Sequence, residues 1–231
     1  MGKSAFPGYL RMLKDKTSLQ SPLFEKRGTG LKSDSVFLTT AYLAPVEYFV
    51  ILANVEKVFI EQQEHYIKQS YRSRCRIATA NGVMDLSIPV DKSGKELIRD
   101  VRISAHSDWQ KHHWRSIESA YNSSPFFENY SDDLRPFFEK KWVFLWDFNL
   151  EIQQKVLELL EIEVDMAFSE KFETNPDESI VDLRYRIHPK KNPTLKLKSY
   201  YQVFEQKFGF TANLSIVDLL FNMGNESRLV M

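Results

Sequence analysis

The 231 residues of the chain are 43% hydrophobic and 27% charged, a composition that is typical of a globular protein with a buried core and that excludes general disorder. Its 31 Lys and Arg residues balance 31 Asp and Glu residues, so no net charge attracts it to nucleic acid or to an anionic membrane. A single cysteine excludes a disulfide framework, and no apolar run approaches the ~20 residues of a membrane span, so we expect a cytoplasmic protein without nucleic-acid or membrane partners.

Residues 1–35 differ from the rest of the chain. They hold seven basic residues against three acidic ones and show no persistent apolar period. Such a segment is typical of a flexible terminal extension, and it could alternatively serve as a basic arm for an anionic partner. We therefore predict an extension over 1–35 and one domain over 36–231.

Ordered structure is predicted to begin with a βαβ unit. Residues 36–41 are rich in β-forming side chains, and 57–61 form a second run of this kind. Pro45 between them suits the first turn of a helix over 46–53, because proline lacks only an N–H that would be unpaired there. A strand, a helical crossover and a strand within so short a segment predict parallel pairing.

A β-hairpin is predicted around Asn81-Gly82, the dipeptide that favours a type I′ turn. With those two residues as the loop, Ile77 faces Leu86 and Cys75 faces Ile88 on an apolar side. The opposite side is polar, as a half-buried hairpin requires. In this register Cys75 is a buried, inert thiol rather than a nucleophile.

The second half of the sequence is mainly helical, as its three- and four-residue apolar periods indicate. Helices are predicted to begin near Ser107, Ser131 and Asn149 and to cover 200–208 and 215–223, with short strands at 101–103 and 182–188. The predicted fold class is therefore α/β: a mixed β-sheet with an N-terminal βαβ unit and a β-hairpin, followed by a mainly helical C-terminal half.

Polar residues crowd the segment 61–76, directly after the second strand of the βαβ unit. Ligands of open α/β sheets bind at the carboxyl ends of the strands, so this position favours a binding site. Arg72, Arg74 and Arg76 share the polar face of the hairpin. They could hold a phosphate or a carboxylate, or they could form ion pairs on a solvated face.

Other titratable candidates are few. Glu61 and Glu64 form a candidate acid–base pair, and His112 could accept a proton near neutral pH. His113 shares a helix face with apolar residues and is predicted to be a packed core histidine, whereas His112 and Arg115 project elsewhere. No histidine pair has the spacing of a helical metal site, and the glycine motifs for phosphates and dinucleotides are absent, so we predict neither a metal nor a cofactor.

Several segments in order make a more distinctive pattern than any one of them alone: TAYLAPVEYF at 40–49, VFIEQ at 58–62, YIKQSYRSRC at 66–75, LSIPV at 86–90, HHWRSI at 112–117 and SIVDLLFNMG at 215–224. Together they resemble the WbqC-like family over about residues 36–226, in the form found in Bacteroidetes-type bacteria.

The resemblance implies a function and a site. Some relatives are encoded among genes for O-antigen sugars, and transfer of a glycyl or other aminoacyl group to an amino sugar has been suggested for them. On this basis we expect a transferase in bacterial surface-polysaccharide metabolism that acts on a small anionic substrate. The resemblance also favours a single site wall built from Tyr42, Pro45, Tyr48, Glu61, Tyr66, Lys68, Arg72 and Arg74.

Tyr42, Tyr48 and Tyr66 are expected to contact substrate, and the charged residues of that wall, together with Arg115 and His112 outside it, have more specific expected roles. Arg72 and Arg74 would hold phosphate, and Arg115 would add a further substrate contact. Glu61 or His112 would take a proton from the attacking amine, and Lys68 would steady developing negative charge.

Two other functions remain open. The missing catalytic motifs and the aromatic-rich helices favour a non-catalytic module that binds a protein partner. The nearness of Glu61 and Glu64 in the sequence favours a hydrolase.

Overall fold

The computed structural model of the chain describes residues 34–91 and 96–231, so the predicted basic extension lies outside the described residues except for its last two. The strands are β1 (Ser35–Thr39), β2 (Lys57–Glu61), β3 (Arg74–Thr79), β4 (Gly82–Ser87), β5 (Asp165–Phe168) and β6 (Ile180–Asp182). The α-helices are α1 (Val46–Leu52), α2 (Trp109–Tyr121), α3 (Phe127–Leu134), α4 (Leu145–Leu159), α5 (Glu205–Phe208) and α6 (Ile216–Met223). Three 3₁₀ segments cover Ile98–Asp100, Arg135–Phe138 and Gly224–Leu229.

Four of the strands form a parallel sheet in the order β5-β2-β1-β6. All four strands therefore end at the same side, which we call the carboxyl edge and which is marked by Thr39, Glu61, Phe168 and Asp182. The strand order reverses between β1 and β6, because β2 and β5 lie on one side of β1 and β6 on the other. In open α/β sheets such a reversal leaves a crevice at the carboxyl edge, where ligands bind.

The predicted α/β class, the N-terminal βαβ unit, the hairpin and the mainly helical C-terminal half are confirmed. The parallel strands and the antiparallel hairpin lie in two separate sheets. All seven residues of α1, the crossover from β1 to β2, are buried, and one described hydrophobic core takes side chains from the sheet, the hairpin and the helices. None of the described helices could span a membrane.

The predicted hairpin register is wrong by two residues. Cys75 faces Leu86 and Ile77 faces Met84, because the two-residue turn lies at 80–81 and not at Asn81-Gly82. The Thr79 hydroxyl organises this turn, since it donates to the Gly82 carbonyl and accepts from the Asn81 N–H. A slip of two residues keeps every side chain on its predicted face, so Cys75 and Ile77 are buried as expected.

Several predicted bounds in the C-terminal half are also corrected. Residues 101–103 make isolated bridges only, and the strand predicted over 182–188 is the short β6 followed by a turn. Helix α3 begins four residues before Ser131 and α4 begins four residues before Asn149, while α5 covers only the end of 200–208. The four-residue edge strand β5 was not predicted, because a strand that short leaves no measurable apolar period.

Gly82→Ala and Gly224→Ala separate backbone strain from steric overlap. Both glycines have positive φ, +104° and +52°, but a Cβ at Gly82 meets nothing within 4 Å, whereas one at Gly224 would lie 2.6–2.9 Å from the Phe126 ring. We expect Gly82→Ala to lower the free energy of unfolding by about 1–2 kcal/mol. Gly224→Ala should add a further loss of about 1–3 kcal/mol. Urea denaturation of both variants would contradict this if Gly82→Ala were the more damaging change.

Candidate functional site

A buried ion pair joins two strands at the carboxyl edge. Arg184, in the turn after β6, donates through Nη1 to Oε2 of Glu61 at 2.8 Å, and Glu61 is the last residue of β2. The pair therefore passes over the end of β1, which lies between those strands. Both side chains are at most 1% exposed. Asp182 completes the arrangement by accepting from Nε and Nη2 of Arg184 at 3.0 and 2.7 Å.

A second buried pair lies close by. Arg72 donates through Nε and Nη2 to the two oxygens of Glu64, at 2.7 and 2.5 Å, in the two-point geometry that makes guanidinium–carboxylate pairs strong. Burial raises the pKa of Glu64, Arg72 opposes that rise, and the charge of Glu61 adds to it. We call Glu61, Glu64, Arg72, Asp182 and Arg184 the ion-pair cluster.

Neighbouring elements add hydrogen bonds and ring contacts to the ion-pair cluster. Ser169, which follows β5, donates through its hydroxyl to Oε1 of Glu61 at 2.5 Å. Asn149 on α4 donates its amide to the carbonyl of Arg72 at 2.8 Å. The ring centroids of Phe37 and Phe172 lie 4.9 and 5.0 Å from the guanidinium carbon of Arg184.

Buried polar atoms without partners accompany this network. Within the described part of the chain, the Thr40 hydroxyl and the side-chain oxygens of Asn149 and Gln153 have no hydrogen-bond partner. Thr40 directly follows β1, and Asn149 and Gln153 lie one turn apart on α4. Unpaired buried polar atoms are rare in folded proteins and call for an explanation such as a functional role.

Half-exposed aromatic side chains border the cluster. Phe168, Phe172 and Tyr185 are 45%, 41% and 45% exposed, and we call them the aromatic rim. Phe168 ends β5, and Phe172 lies against Arg184. Tyr185 follows Arg184, and burial together with the charge of Glu64 raises the pKa of its hydroxyl.

A run of basic residues surrounds Tyr185 of the aromatic rim in the sequence and continues beyond it, and it was not identified from the sequence. Between residues 184 and 198 the chain has six Lys and Arg residues and His188, with no Asp or Glu. Whole-chain charge hides this run, because acidic residues elsewhere cancel it. A charge count in a sliding window of about 15 residues is the signal that would have found it.

The structure gathers part of the predicted site wall. Glu61 and Arg72 lie in the ion-pair cluster, and buried Tyr48 is close enough for Arg72 and Glu64 to affect its pKa. Tyr48 donates to the Thr39 carbonyl at 2.9 Å. The loop between β2 and β3 carries Tyr66, whose hydroxyl lies 2.6 Å from that of Ser73, and the exposed Lys68.

Other predicted site residues lie elsewhere. Arg74 pairs with Asp85 at 3.0 Å on the outer face of the hairpin, and His112 and Arg115 are exposed on α2. Arg115 lines a separate surface depression of about 470 Å³ between α2 and the 3₁₀ segment Arg135–Phe138. In the described part of the chain, no hydrogen bond or ion pair joins Arg74, His112 or Arg115 to Glu61 or Arg72.

Tyr42 and His113 form a buried pair in the core. The Tyr42 hydroxyl lies 2.9 Å from Nδ1 of His113, and both residues are at most 6% exposed. Burial lowers the pKa of His113 to about 4, so its imidazole is neutral at pH 7. The prediction of a packed core histidine is confirmed. The buried Cys75 thiol is confirmed as well, and burial raises its pKa.

Residues 34–91 and 96–231 contain no group of three or more His, Cys, Asp and Glu side chains placed to hold a metal ion. Each carboxylate of the ion-pair cluster already contacts a guanidinium.

The fold and the site together define an open parallel α/β protein with a polar cluster at the carboxyl edge of its sheet. The chain belongs to the WbqC-like protein family, whose model matches residues 40–194. It is 27% identical over 207 residues to the uncharacterized protein Rv1507c of Mycobacterium tuberculosis, a match that covers 78% of this chain and 89% of that protein. No solved structure gives a significant match.

Arg184→Met tests the ion pair across β1. Removal of the guanidinium leaves Glu61 buried without its cation, so we expect a loss of about 3–5 kcal/mol in the free energy of unfolding. Adding Glu61→Gln should recover most of that loss, because the unpaired charge is gone. Arg135→Met, which breaks the exposed pair with Glu139, is the control and should cost under about 1 kcal/mol. If the losses in the free energy of unfolding caused by Arg184→Met and Glu61→Gln simply added in the double variant, the two side chains would not be coupled.

His113→Gln tests the buried imidazole. Protonation of His113 is disfavoured in the folded state, so its contribution to stability is complete above pH 6.5 and is lost as the pH falls toward about 4. The gap between these values corresponds to about 3 kcal/mol. We expect urea denaturation from pH 7 to pH 4 to show a decline in wild-type stability that exceeds that of His113→Gln by up to this amount. Parallel declines would show that His113 does not titrate as inferred.

Proposed function

We propose that the protein is a transferase that binds a small anionic substrate at the carboxyl edge and moves a glycyl, other aminoacyl or similar group to an amino sugar in bacterial surface-polysaccharide metabolism. One observation carries the proposal. A buried, hydrogen-bonded ion-pair cluster lies at the strand-order reversal and is bordered by exposed aromatic rings and by exposed basic residues. The chain belongs to the WbqC-like family, for some members of which a reaction of this class has been suggested.

The aromatic rim suits a substrate with a sugar or a base. Flat rings bind such groups by stacking, and Tyr185 adds a hydroxyl that can donate a hydrogen bond. Exposed cations in the adjoining chain, among them Lys68 and Arg186, suit the anionic part of the substrate. A nucleotide-linked amino sugar has all of these features.

The buried residues are better suited to positioning than to direct contact. Arg72 and Arg184 already bind protein carboxylates, so a substrate phosphate would have to compete with Glu64 or Glu61 for them. Glu61 accepts from Arg184, Ser169 and the Gln63 N–H, so both of its oxygens are engaged within the protein. We therefore assign Glu61 and Arg72 to holding the carboxyl edge in shape.

The remaining predicted roles form part of the proposal. Lys68 is exposed in the loop that follows β2, where it can steady negative charge that develops during transfer. His112 as proton acceptor stays a prediction, because it lies on α2 without a contact to the ion-pair cluster.

Titration with nucleotide-linked amino sugars tests the proposal. We expect at least one uridine or thymidine diphosphate amino sugar to raise the melting temperature of the wild type, since a ligand stabilises the state it binds. Tyr185→Ala should weaken binding about tenfold, because stacking contributes about 1–3 kcal/mol. Tyr201→Ala, which removes another exposed tyrosine, is the control and should bind as the wild type does. The proposal fails if no compound binds. If Tyr185→Ala binds the nucleotide sugar as tightly as the wild type does, the aromatic rim is not the binding site.

A protein-interaction module is the second candidate. The depression between α2 and the 3₁₀ segment favours it, because Trp114 and Phe138 line that depression together with residues of both charges. This function would be preferred if no nucleotide sugar bound and affinity capture repeatedly returned one protein that Arg115→Glu no longer captured.

A further inference from the structure

The turn at residues 188–191 orients one imidazole and two lysines. The His188 carbonyl accepts from the Lys191 N–H at 2.9 Å, and Pro189 occupies the second position, where its restricted φ favours the turn. Nδ1 of His188 also accepts from the backbone N–H of Lys190, at 3.1 Å. A neutral imidazole that accepts at Nδ1 carries its proton on Nε2, so Nε2–H is available as a donor.

Both lysines of the turn have neutral partners. Nζ of Lys190 donates to Oε1 of Gln69 at 2.9 Å, and Nζ of Lys191 donates to the carbonyl of Tyr185 at 2.7 Å. Across residues 34–91 and 96–231, neither ammonium group forms an ion pair with a carboxylate. Two full positive charges are therefore held in place without compensation.

The hairpin adds a further excess of positive charge. Arg74 and Arg76 share a single carboxylate, that of Asp85, at 3.0 and 3.1 Å. The charges of Lys191, Arg72, Lys190 and Arg76 all lie close enough to His188 to lower its pKa, after burial as the main cause.

We propose that the His188–Lys191 turn binds a phosphate group. A phosphate carries up to two negative charges and several acceptor oxygens, which match two ammonium groups and an Nε2–H donor. A carboxylate would neutralise only one of these charges. The inference deepens the proposed function and rests on it for the rest of the substrate, of which the phosphate is one part.

Phosphate binding by the whole chain tests the inference directly. We expect inorganic phosphate and pyrophosphate to raise the melting temperature of the wild type at a fixed ionic strength set with sodium chloride. Lys190→Ala/Lys191→Ala should bind each at least tenfold more weakly, and Lys190→Arg/Lys191→Arg should retain binding. Lys196→Ala/Lys198→Ala removes two charges from the same basic run and should bind as the wild type does. Equal affinity in all variants, or an equal shift with chloride alone, would overturn the site.

Nucleotide sugars separate this inference from the proposed function. One outcome is that phosphate binds the wild type but not Lys190→Ala/Lys191→Ala, and that no nucleotide sugar binds. This outcome supports the phosphate site and removes the transferase proposal. A second outcome is that nucleotide sugars bind the wild type and Lys190→Ala/Lys191→Ala equally well. This outcome contradicts the phosphate site and leaves the transferase proposal in place. Free phosphate that binds the wild type but does not compete with a bound nucleotide sugar would overturn the assignment of the site to the substrate.

Discussion

The carboxyl edge depends on one interaction, the ion pair between Arg184 and Glu61 across the end of β1. These residues lie 123 positions apart in the chain, and Glu61 ends β2 while Arg184 lies in the turn after β6, on the other side of β1. Two charges removed from water are costly unless each is fully paired and hydrogen-bonded. Asp182 and Ser169 supply the additional bonds, so the pair holds β2, β5 and β6 in one arrangement.

Charge is divided between the interior and the surface of this region. Inside, Arg72 and Arg184 each have a carboxylate partner. Outside, Lys190 and Lys191 contact neutral oxygens and keep their charge available. Buried pairs give shape, since their geometry is tightly constrained, whereas uncompensated surface charges attract and bind an anion. Scaffold and binding surface are thus separate sets of residues within a short stretch of chain.

Two other buried carboxylates fasten the segment beyond the basic turn. Glu47 on α1 accepts from the backbone N–H groups of Thr194 and Leu195 and from the amide of Asn213. Asp218 on α6 accepts from Tyr121, Tyr200 and Gln202 at 3.0, 2.7 and 2.8 Å, and burial raises its pKa. The chain between β6 and α6, whose one regular element in the described residues is the four-residue α5, is therefore anchored by hydrogen bonds to carboxylates.

The sequence by itself determined the features that depend on local pattern, namely several secondary-structure elements and which of their faces are buried. Apolar periods and turn residues predicted the parallel βαβ unit, the two faces of the hairpin, the last helix and the buried states of Cys75 and His113. A two-residue slip in the hairpin left those faces unchanged, because side chains alternate along a strand. The ordered segments also predicted the family, which the family model confirms.

Only the tertiary structure decided which charges meet. Arg72 and Arg74 are indistinguishable in the sequence, yet one is buried against Glu64 and the other lies on the outer face of the hairpin beside Asp85. Arg184 was not selected, because its partner is far away in the chain and it lies in a turn after a strand of only three residues. Periodicity reports which side of an element faces the core, whereas the partner of a charge depends on how distant elements pack. The candidate site is therefore a property of the packed sheet, and only its apolar frame could be predicted from the order of residues.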